Sequence, residues 1–390
     1  MVDSKVSRRE FVRETAAIAA GVAAGLTPTY TVHAGNPERA DTGAILNYNE
    51  QMEYRRGGKT GLMFSAVCLG GHWKRVNTVV PGLFEGGSWL GAPIDHPDFQ
   101  KNRTEVVSRC IDRGINFIDA CTSQEVTMYA RALRGRREKM YLGYSWYQNE
   151  VRNANWRSFD ALKKSFDNGL KEAGLDYVDV WRITMHEQSS RHTEGEVEEM
   201  MKALDWAKQS GRARFTGISS HDRPHIKWMV ETYPKQMEVV VTPYSARTRM
   251  AGVEQVEAAE ESQSAGYVGK MGEGEEPLWA TFQKHDVAWF GIKPFASTAL
   301  FKGDSSPGSP HADEDSKIAR LTIRAILTNP IITAPIPGLI TPEQVDNVAI
   351  AVLQRRALDA QEQAELDAAT DRTFANLPHQ YQWLKSWDYV

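Results

Sequence analysis

The chain has 390 residues, of which 41% are hydrophobic and 25% charged, the mixture of an average globular protein, so a collagen-like, disordered or disulfide-scaffold chain is excluded. Lys and Arg total 46 against 50 Asp and Glu, a net charge of −4, which supplies no basic field for nucleic acid phosphates and excludes that class of partner. Three cysteines, Cys68, Cys110 and Cys121, are too few for a disulfide framework or a four-thiolate site, and no metal is expected.

Residues 1–34 read as an address. Ser7-Arg8-Arg9-Glu10-Phe11-Val12 is followed by an Ala/Gly-rich run from Ala16 to Leu26 and by the small-residue stretch Val32-His33-Ala34. A positive segment, a mildly apolar one and a small-residue cleavage site describe an export signal, and the twin Arg before Phe resembles a twin-arginine (Tat) signal. The expected partner is therefore the Tat export machinery and the expected location the periplasm. The apolar run is far shorter than the roughly 18–20 residues that span a bilayer, so no transmembrane span is expected in the mature protein. Residues 35–51 read as a polar linker, and 52–390 as one barrel with a C-terminal helix and tail.

From residue 52 onward, short β-branched runs alternate with helical patterns. The predicted strands are 65–69, 115–119, 140–144, 178–184, 214–219, 238–244, 288–293 and 331–336. Apolar residues three and four apart lie between them, as at Phe159, Leu162, Phe166 and Leu170, and glycines such as Gly174 and Gly211 mark helix ends. Eight strand–helix units predict an α/β fold, a closed (β/α)8 TIM barrel rather than an open doubly wound sheet. Leu69-Gly70-Gly71-His72-Trp73 does not supply the Gly-rich fingerprint an open sheet would carry after its first strand. Gly57-Gly58-Lys59-Thr60 lacks the strand-to-helix setting of a phosphate loop and reads as a hairpin turn. Extended loops at 72–103, 247–276 and 303–316 fall on the rim where barrels build their sites. The first, with Trp73, Phe84 and Trp89, offers either an apolar stacking surface or ordinary anchoring, and the second, rich in Glu254, Glu257, Glu260, Glu261, Glu273, Glu275 and Glu276, reads as a solvated lid.

Met52-Glu53-Tyr54-Arg55-Arg56, Gly58-Lys59-Thr60-Gly61-Leu62 and Leu69-Gly70-Gly71 resemble the opening hairpin and first strand of the aldo-keto reductases. The likeness recurs at Gly114-Ile115-Asn116-Phe117-Ile118-Asp119, Leu175-Asp176-Tyr177-Val178-Asp179-Val180, Gly217-Ile218-Ser219-Ser220-His221, Lys293-Pro294-Phe295 and Ile336-Pro337-Gly338. The resemblance implies an oxidoreductase that reduces a carbonyl or oxidises an alcohol of a small, sugar-like molecule with NADP or NAD. That family works through an Asp, a Tyr, a Lys and a His, the Tyr donating the proton. Asp119 stands where the Asp belongs, but the positions for Tyr, Lys and His fall on Gln124, Ser145 and Thr184. The resemblance therefore implies a non-standard catalytic set, for which Asp119, Tyr144 and His186 are the candidates. As a strand-end residue Asp119 needs a buried partner or a task. His186 continues the alternate-residue row of Arg182 and Thr184.

The cofactor contacts implied by the resemblance are Ser219 and Ser220 for the carboxamide, and Lys293, Phe295, Ser297, Gly338, Gln344 and Asn347 for the phosphates and adenosine. Barrels often hold a phosphate with the loops after strands seven and eight, and the helix opened by Pro342 adds a favourable dipole. Departures are also present: Leu339, Ile340 and Thr341 carry no charge for a 2′-phosphate, Val241 replaces a Gln, and Ile292 takes a slot often aromatic. If redox-active after export, the protein would carry a cofactor retained from the cytoplasm. Two other readings stay open: a barrel used as a non-catalytic binding or subunit module, and a metal-dependent hydrolase or isomerase using His72, Asp119, His186 and His221.

Overall fold

The computed structural model describes residues 45–83, 93–250, 271, 275–306, 308–354 and 356–390. Residues 1–44, with the predicted export signal, and Phe84, Trp89, Glu254, Glu257, Glu260, Glu261 and Glu273 lie outside the described residues.

A hairpin comes first, β1 (Tyr54–Arg56) against β2 (Met63–Ser65). Its tight turn carries Gly58 at φ +47, where a Cβ would meet the Asp286 carbonyl at 2.2 Å. Lys59 N–H donates to that carbonyl at 2.6 Å, so the predicted hairpin turn is present and is seated against the start of a barrel strand. Asn116 fixes the other side, accepting from Ser65 N–H and donating to the Leu46 and Met63 carbonyls. Phe64 of β2 then meets Phe117, Tyr141 and Phe290 edge-on at 5.1–5.4 Å between centroids. The hairpin thus closes one end of the barrel with aromatic side chains.

The barrel strands are β3 (Leu69–Gly70), β4 (Phe117–Asp119), β5 (Tyr141–Tyr144), β6 (Val178–Thr184), β7 (Ala213–Ser219), β8 (Val239–Pro243), β9 (Ala288–Ile292) and β10 (Ala334–Pro335). All neighbours are parallel and in sequence order. Cys68 N–H to the Pro335 carbonyl (3.1 Å) and Gly70 N–H to the Pro337 carbonyl (2.8 Å) join the first strand to the last. Eight strands with closure is the predicted (β/α)8 barrel. The first and last strands are shorter than the sequence predicts because their flanks turn into the hairpin and the rim loops.

Among the described residues, nine α-helices accompany the strands: α1 (Pro97–Asp112), α2 (Ser123–Ala132), α3 (Phe159–Ala173), α4 (Glu194–Gln209), α5 (Arg223–Thr232), α6 (Leu278–Lys284), α7 (Ala312–Leu327), α8 (Pro342–Leu353) and α9 (Ala360–Ala375). In α3 the predicted stripe is buried at Leu162, Phe166 and Leu170, Ser158 caps the start, and Gly174 ends it in the left-handed region. Phe166 stacks on Trp181 of β6 at 4.0 Å. Alternation along the strands sends Phe117, Val180, Val241 and Phe290 to the inner core and Trp181, Ile183 and Ile218 to the helix-facing core. The same alternation points Asp119, Arg182 and Ser219 inward at the open end.

Candidate active site

A cavity of about 790 Å³ opens at the carboxyl end of the strands, within the size range of ligand pockets and on the face where barrel sites form. Asp119 and Arg182 border it. Arg182 Nε and Nη2 donate to the two Asp119 carboxylate oxygens at 2.7 and 2.6 Å, with both side chains about 5% exposed or less. Burial opposes the guanidinium's charge, but the Asp119 carboxylate outweighs it and raises the Arg182 pKa. Asp119 has found the partner that its burial demands, a bidentate one.

The network continues through Thr184, which also borders the cavity, to Ser145 and Glu150 behind it. Arg182 Nη1 donates to Thr184 Oγ1 (2.9 Å), and Thr184 Oγ1 meets Ser145 Oγ at 2.8 Å. Glu150 then accepts from Ser145 Oγ, Thr184 N–H, Trp146 N–H and Trp181 Nε1. Ser145 and Thr184, the residues matched to the Lys and His positions, are therefore neighbours beside Asp119, and their hydroxyls bond one another.

Two candidates fall elsewhere. Tyr144 is 1% exposed and packs outside the barrel against Phe166 at 4.8 Å. The phenol lies so close to α3 that a Cβ on Gly169 would meet it at 1.9 Å. Burial drives its pKa well up, and it does not border the cavity. Residue parity explains the correction: in β5 Gly143 takes the inward register, and its neighbour faces the helices. His186 lies on the loop after β6, where its Nδ1 accepts from Gln188 N–H at 3.2 Å; the strand row ends at Thr184, so the alternation does not carry His186 into the cavity. The four-residue metal reading consequently finds Asp119 committed to Arg182 and His186 outside the cavity. Trp73 is likewise an anchor, 1% exposed against Phe99 and Tyr129.

Of the implied cofactor contacts, Ser219, Lys293, Phe295, Ser297, Gly338, Gln344 and Asn347 border the cavity. Ser220 turns away, donating to Ser189 Oγ at 2.8 Å. Three of the seven spend polar atoms internally: Gln344 Oε1 accepts from Ile340 N–H, Asn347 bonds Arg320 and the Ser316 carbonyl, and Ser297 Oγ accepts from Lys74. Thr341 caps α8, accepting from Gln344 N–H at 3.2 Å. The loop after β9 has a special backbone: Lys293, Ala296, Ser297 and Thr298 all have φ between +47 and +79. A left-handed run of non-glycine residues is strained by about 1–3 kcal/mol at each position and clusters at ligand sites.

Sequence reasoning missed Lys74, Arg75, Arg152 and the tail, all of which border the cavity. Lys74 Nζ donates to Ser297 Oγ (2.5 Å) and to the phenol of Tyr381, and burial lowers its pKa to about 8. Burial, reinforced by repulsion from Lys74, brings Lys293 to about 8 as well. Arg75 donates to the Gly303 carbonyl and Ser305 Oγ beside the same loop. Trp383 stacks on His221 at 4.1 Å; burial holds that imidazole neutral, and its Nδ1 has no hydrogen-bond partner among the described residues. The position of Lys74 just after β3 was a usable signal, since every βα loop faces this end; the tail gave none.

A wall carrying Lys74, Arg75 and Lys293, beside a strained turn and a helix N-terminus, suits a diphosphate. The donor set therefore fits the phosphate portion of a nicotinamide dinucleotide.

The aldo/keto reductase family model matches residues 87–266. L-glyceraldehyde 3-phosphate reductase of Escherichia coli is 26% identical over 195 residues, 46% of this chain and 49% of that protein; the match thus spans about half the length of that relative. L-galactose dehydrogenase of Arabidopsis thaliana is 22% identical over 326 residues, 82% of this chain and 94% of its own. Among solved structures, an aldo-keto reductase from Bacillus halodurans in its holo form superposes with a TM-score of 0.55 at 17% identity, covering 82% of this chain and 96% of that one. A Klebsiella pneumoniae aldo-keto reductase in complex with NADPH gives 0.55 at 16% identity, covering 81% and 94%. The middle of the chain thus matches the aldo/keto reductase family model, and the barrel around it is the fold of the solved aldo-keto reductases.

Proposed function

We propose that the protein is a nicotinamide-dependent oxidoreductase that interconverts a carbonyl and a hydroxyl on a small, sugar-like molecule, with a catalytic set altered from the family's. The observation that carries this reading is that Lys293, the left-handed Ser297 and Thr298 and the capped start of α8 border one cavity together with the Asp119–Arg182 pair. The names of the relatives, a glyceraldehyde phosphate reductase and a galactose dehydrogenase, support a polyhydroxylated substrate.

The cofactor, when bound, gives or takes a hydride. The chain's own residues do the rest. Lys293 and Arg75, both on the cavity wall, neutralise the diphosphate. Asp119 and Arg182, each satisfied by the other, hold the inner wall rigid and give no proton. The proton comes from Tyr381 Oη, which a hydrogen bond from the Lys74 ammonium positions at the cavity wall. Trp383 over His221 narrows the mouth and limits water.

Denaturing the purified protein and measuring released NADP and NAD, with calorimetric titration of added NADPH and NADH, tests the reading. Bound or readily bound nicotinamide is expected, while absence of both would favour the non-catalytic barrel. Tyr381→Phe is expected to slow turnover by about 10²–10⁴ with cofactor affinity kept; an undiminished rate removes Tyr381 from the mechanism.

Export belongs to the same proposal. What supports it is Ser7-Arg8-Arg9-Glu10-Phe11 ahead of the short apolar run, followed by the 35–51 linker. No helix among the described residues is long and apolar enough to cross a membrane. The Tat machinery passes folded proteins, so the barrel would reach the periplasm around a cofactor loaded beforehand. Replacing Arg8 and Arg9 together by Lys is expected to hold the protein in the cytoplasm; unchanged periplasmic yield refutes the route.

A further inference from the structure

Three donor side chains of different chemistry meet at the cavity wall. His72 follows β3, Cys121 follows β4, and Glu125 lies in the first turn of α2. One donor atom from each lies within 4.8 Å of the others. Glu125 is fully buried. Its Oε1 meets His72 Nδ1 at 2.8 Å, and its Oε2 accepts from Cys121 N–H at 2.7 Å. The Cys121 sulfur stands 3.6 and 3.7 Å from the two imidazole nitrogens.

These spacings can be compared with a known coordination sphere. Around a tetrahedral zinc ion bound at about 2.0 Å by nitrogen and oxygen and about 2.3 Å by sulfur, the N–O edge is about 3.3 Å and the N–S edge about 3.5 Å. The N–S spacing already matches, and the N–O contact needs to open by about half an ångström. The backbone makes room for the arrangement: a Cβ on Gly71, next to His72, would lie 2.1 Å from Glu125 Oε2. The carboxylate occupies the space a side chain would take.

The donor set also selects the ion. Imidazole, thiolate and carboxylate together suit a borderline-soft cation and not calcium or magnesium. A thiolate and a carboxylate carry two negative charges against the ion's two positive ones. Asp119 is matched by Arg182 and has no part in that balance. His72 and Cys121 border the cavity whereas Glu125 lies behind them. Three protein ligands with one side open is the pattern of catalytic, not structural, zinc sites.

We propose that His72, Cys121 and Glu125 bind one zinc-class divalent cation whose fourth position opens into the cavity. The fourth ligand is water or an oxygen of the substrate, and Lys74 and Lys293 on the same cavity favour an oxygen of anionic character. The site stands beside Gln124, where the family resemblance leads one to expect a tyrosine. The inference goes beyond the nicotinamide reading and does not rest on it.

The purified full chain, stripped with a chelator and dialysed against zinc, is expected to retain one equivalent by elemental analysis. Cys121→Ser and Glu125→Gln are each expected to weaken zinc binding by more than about a hundredfold, while Cys110→Ser, whose thiol lies in the apolar core, retains it. Cobalt(II) in the unaltered protein is expected to give a thiolate-to-cobalt charge-transfer band that Cys121→Ser lacks. Uptake far below one equivalent, equal affinity in Cys121→Ser, or cobalt binding with no thiolate band overturns the proposal. If Cys121→Ser fails to fold by circular dichroism, the cobalt spectrum of the unaltered protein decides alone. NADPH titration on the same samples reads the cofactor separately, so a protein that binds nicotinamide but no zinc loses only this inference.

Discussion

Asp119 and Arg182 satisfy one another so completely that their first role is to keep two charges inside the barrel. Removing one partner leaves the other buried and unpaired, which costs about 3–5 kcal/mol. Asp119→Ala is therefore expected to lower the urea midpoint sharply, and a midpoint close to the parent's would mean that water reaches Arg182. Tyr144 behaves oppositely. Its hydroxyl is buried with no hydrogen-bond partner among the described residues, so Tyr144→Phe is expected to keep full turnover and to gain up to about 1 kcal/mol; a loss of activity would return Tyr144 to the site. Lys293 carries a pH dependence. Burial and its Lys74 neighbour bring its pKa down to about 8, so it is cationic below that pH and neutral above. NADPH affinity is expected to fall as pH rises through this value and to lose that component in Lys293→Met. An identical pH profile in the variant, measured by titration calorimetry, would exclude Lys293 from phosphate binding.

At the scale of elements, the segment after α9 does most to complete the site. His379–Ser386 forms 3-10 turns that bring Tyr381 to Lys74 and Trp383 to His221. Trp387 is 1% exposed beneath the Arg223 guanidinium, 3.8 Å from ring centroid to carbon. Arg223 Nη2 donates to the Ser386 and Tyr389 carbonyls at 2.8 Å, and Val390 N–H bonds the Arg249 carbonyl. The tail is thus a wall of the cavity held by a buried cation. Ending the chain at Pro378 strips Arg223 of these acceptors and exposes the core beneath, a loss of about 3 kcal/mol or more. Both a lower Tm and lost nicotinamide binding are expected; a truncated protein that keeps its affinity would show that the tail is dispensable to the site. The hairpin at the opposite end has no comparable link to chemistry, since Phe64 only fills the closed end.

For the molecule as a whole, acid stability follows from buried imidazoles. His192 is 5% exposed, and its Nε2 accepts from His186 N–H, which requires the neutral ring. Burial, with Arg157 nearby, lowers its pKa to about 4 from the ordinary 6.5. The unfolded chain therefore binds this proton first, so its contribution is complete above about 6.5 and is lost as pH falls toward about 4, on the order of 3 kcal/mol in all. Urea midpoints should drop over that window, and a flat profile would contradict the burial of His192. The barrel itself was legible in the sequence because it depends on local pattern: Val178–Thr184 has the predicted bounds, and Gly174 ends α3 where a left-handed cap is needed. The seven cavity residues from Ser219 to Asn347 were legible because strand ends and βα loops share one face. Tyr144 was misread because one residue of strand parity turns a side chain from cavity to helix layer, and parity at a strand end is set by pairing with β4 and β6. Arg182 as the partner of Asp119, Cys121 beside His72 and Glu125, and Tyr381 beside Lys74 lie 63, 49 and 307 residues apart respectively. Composition and periodicity determined that this chain closes a barrel with an open carboxyl end. Only the tertiary structure decided which charges neutralise one another there, because electrostatic pairing acts through distance in space, and no spacing along the chain encodes it.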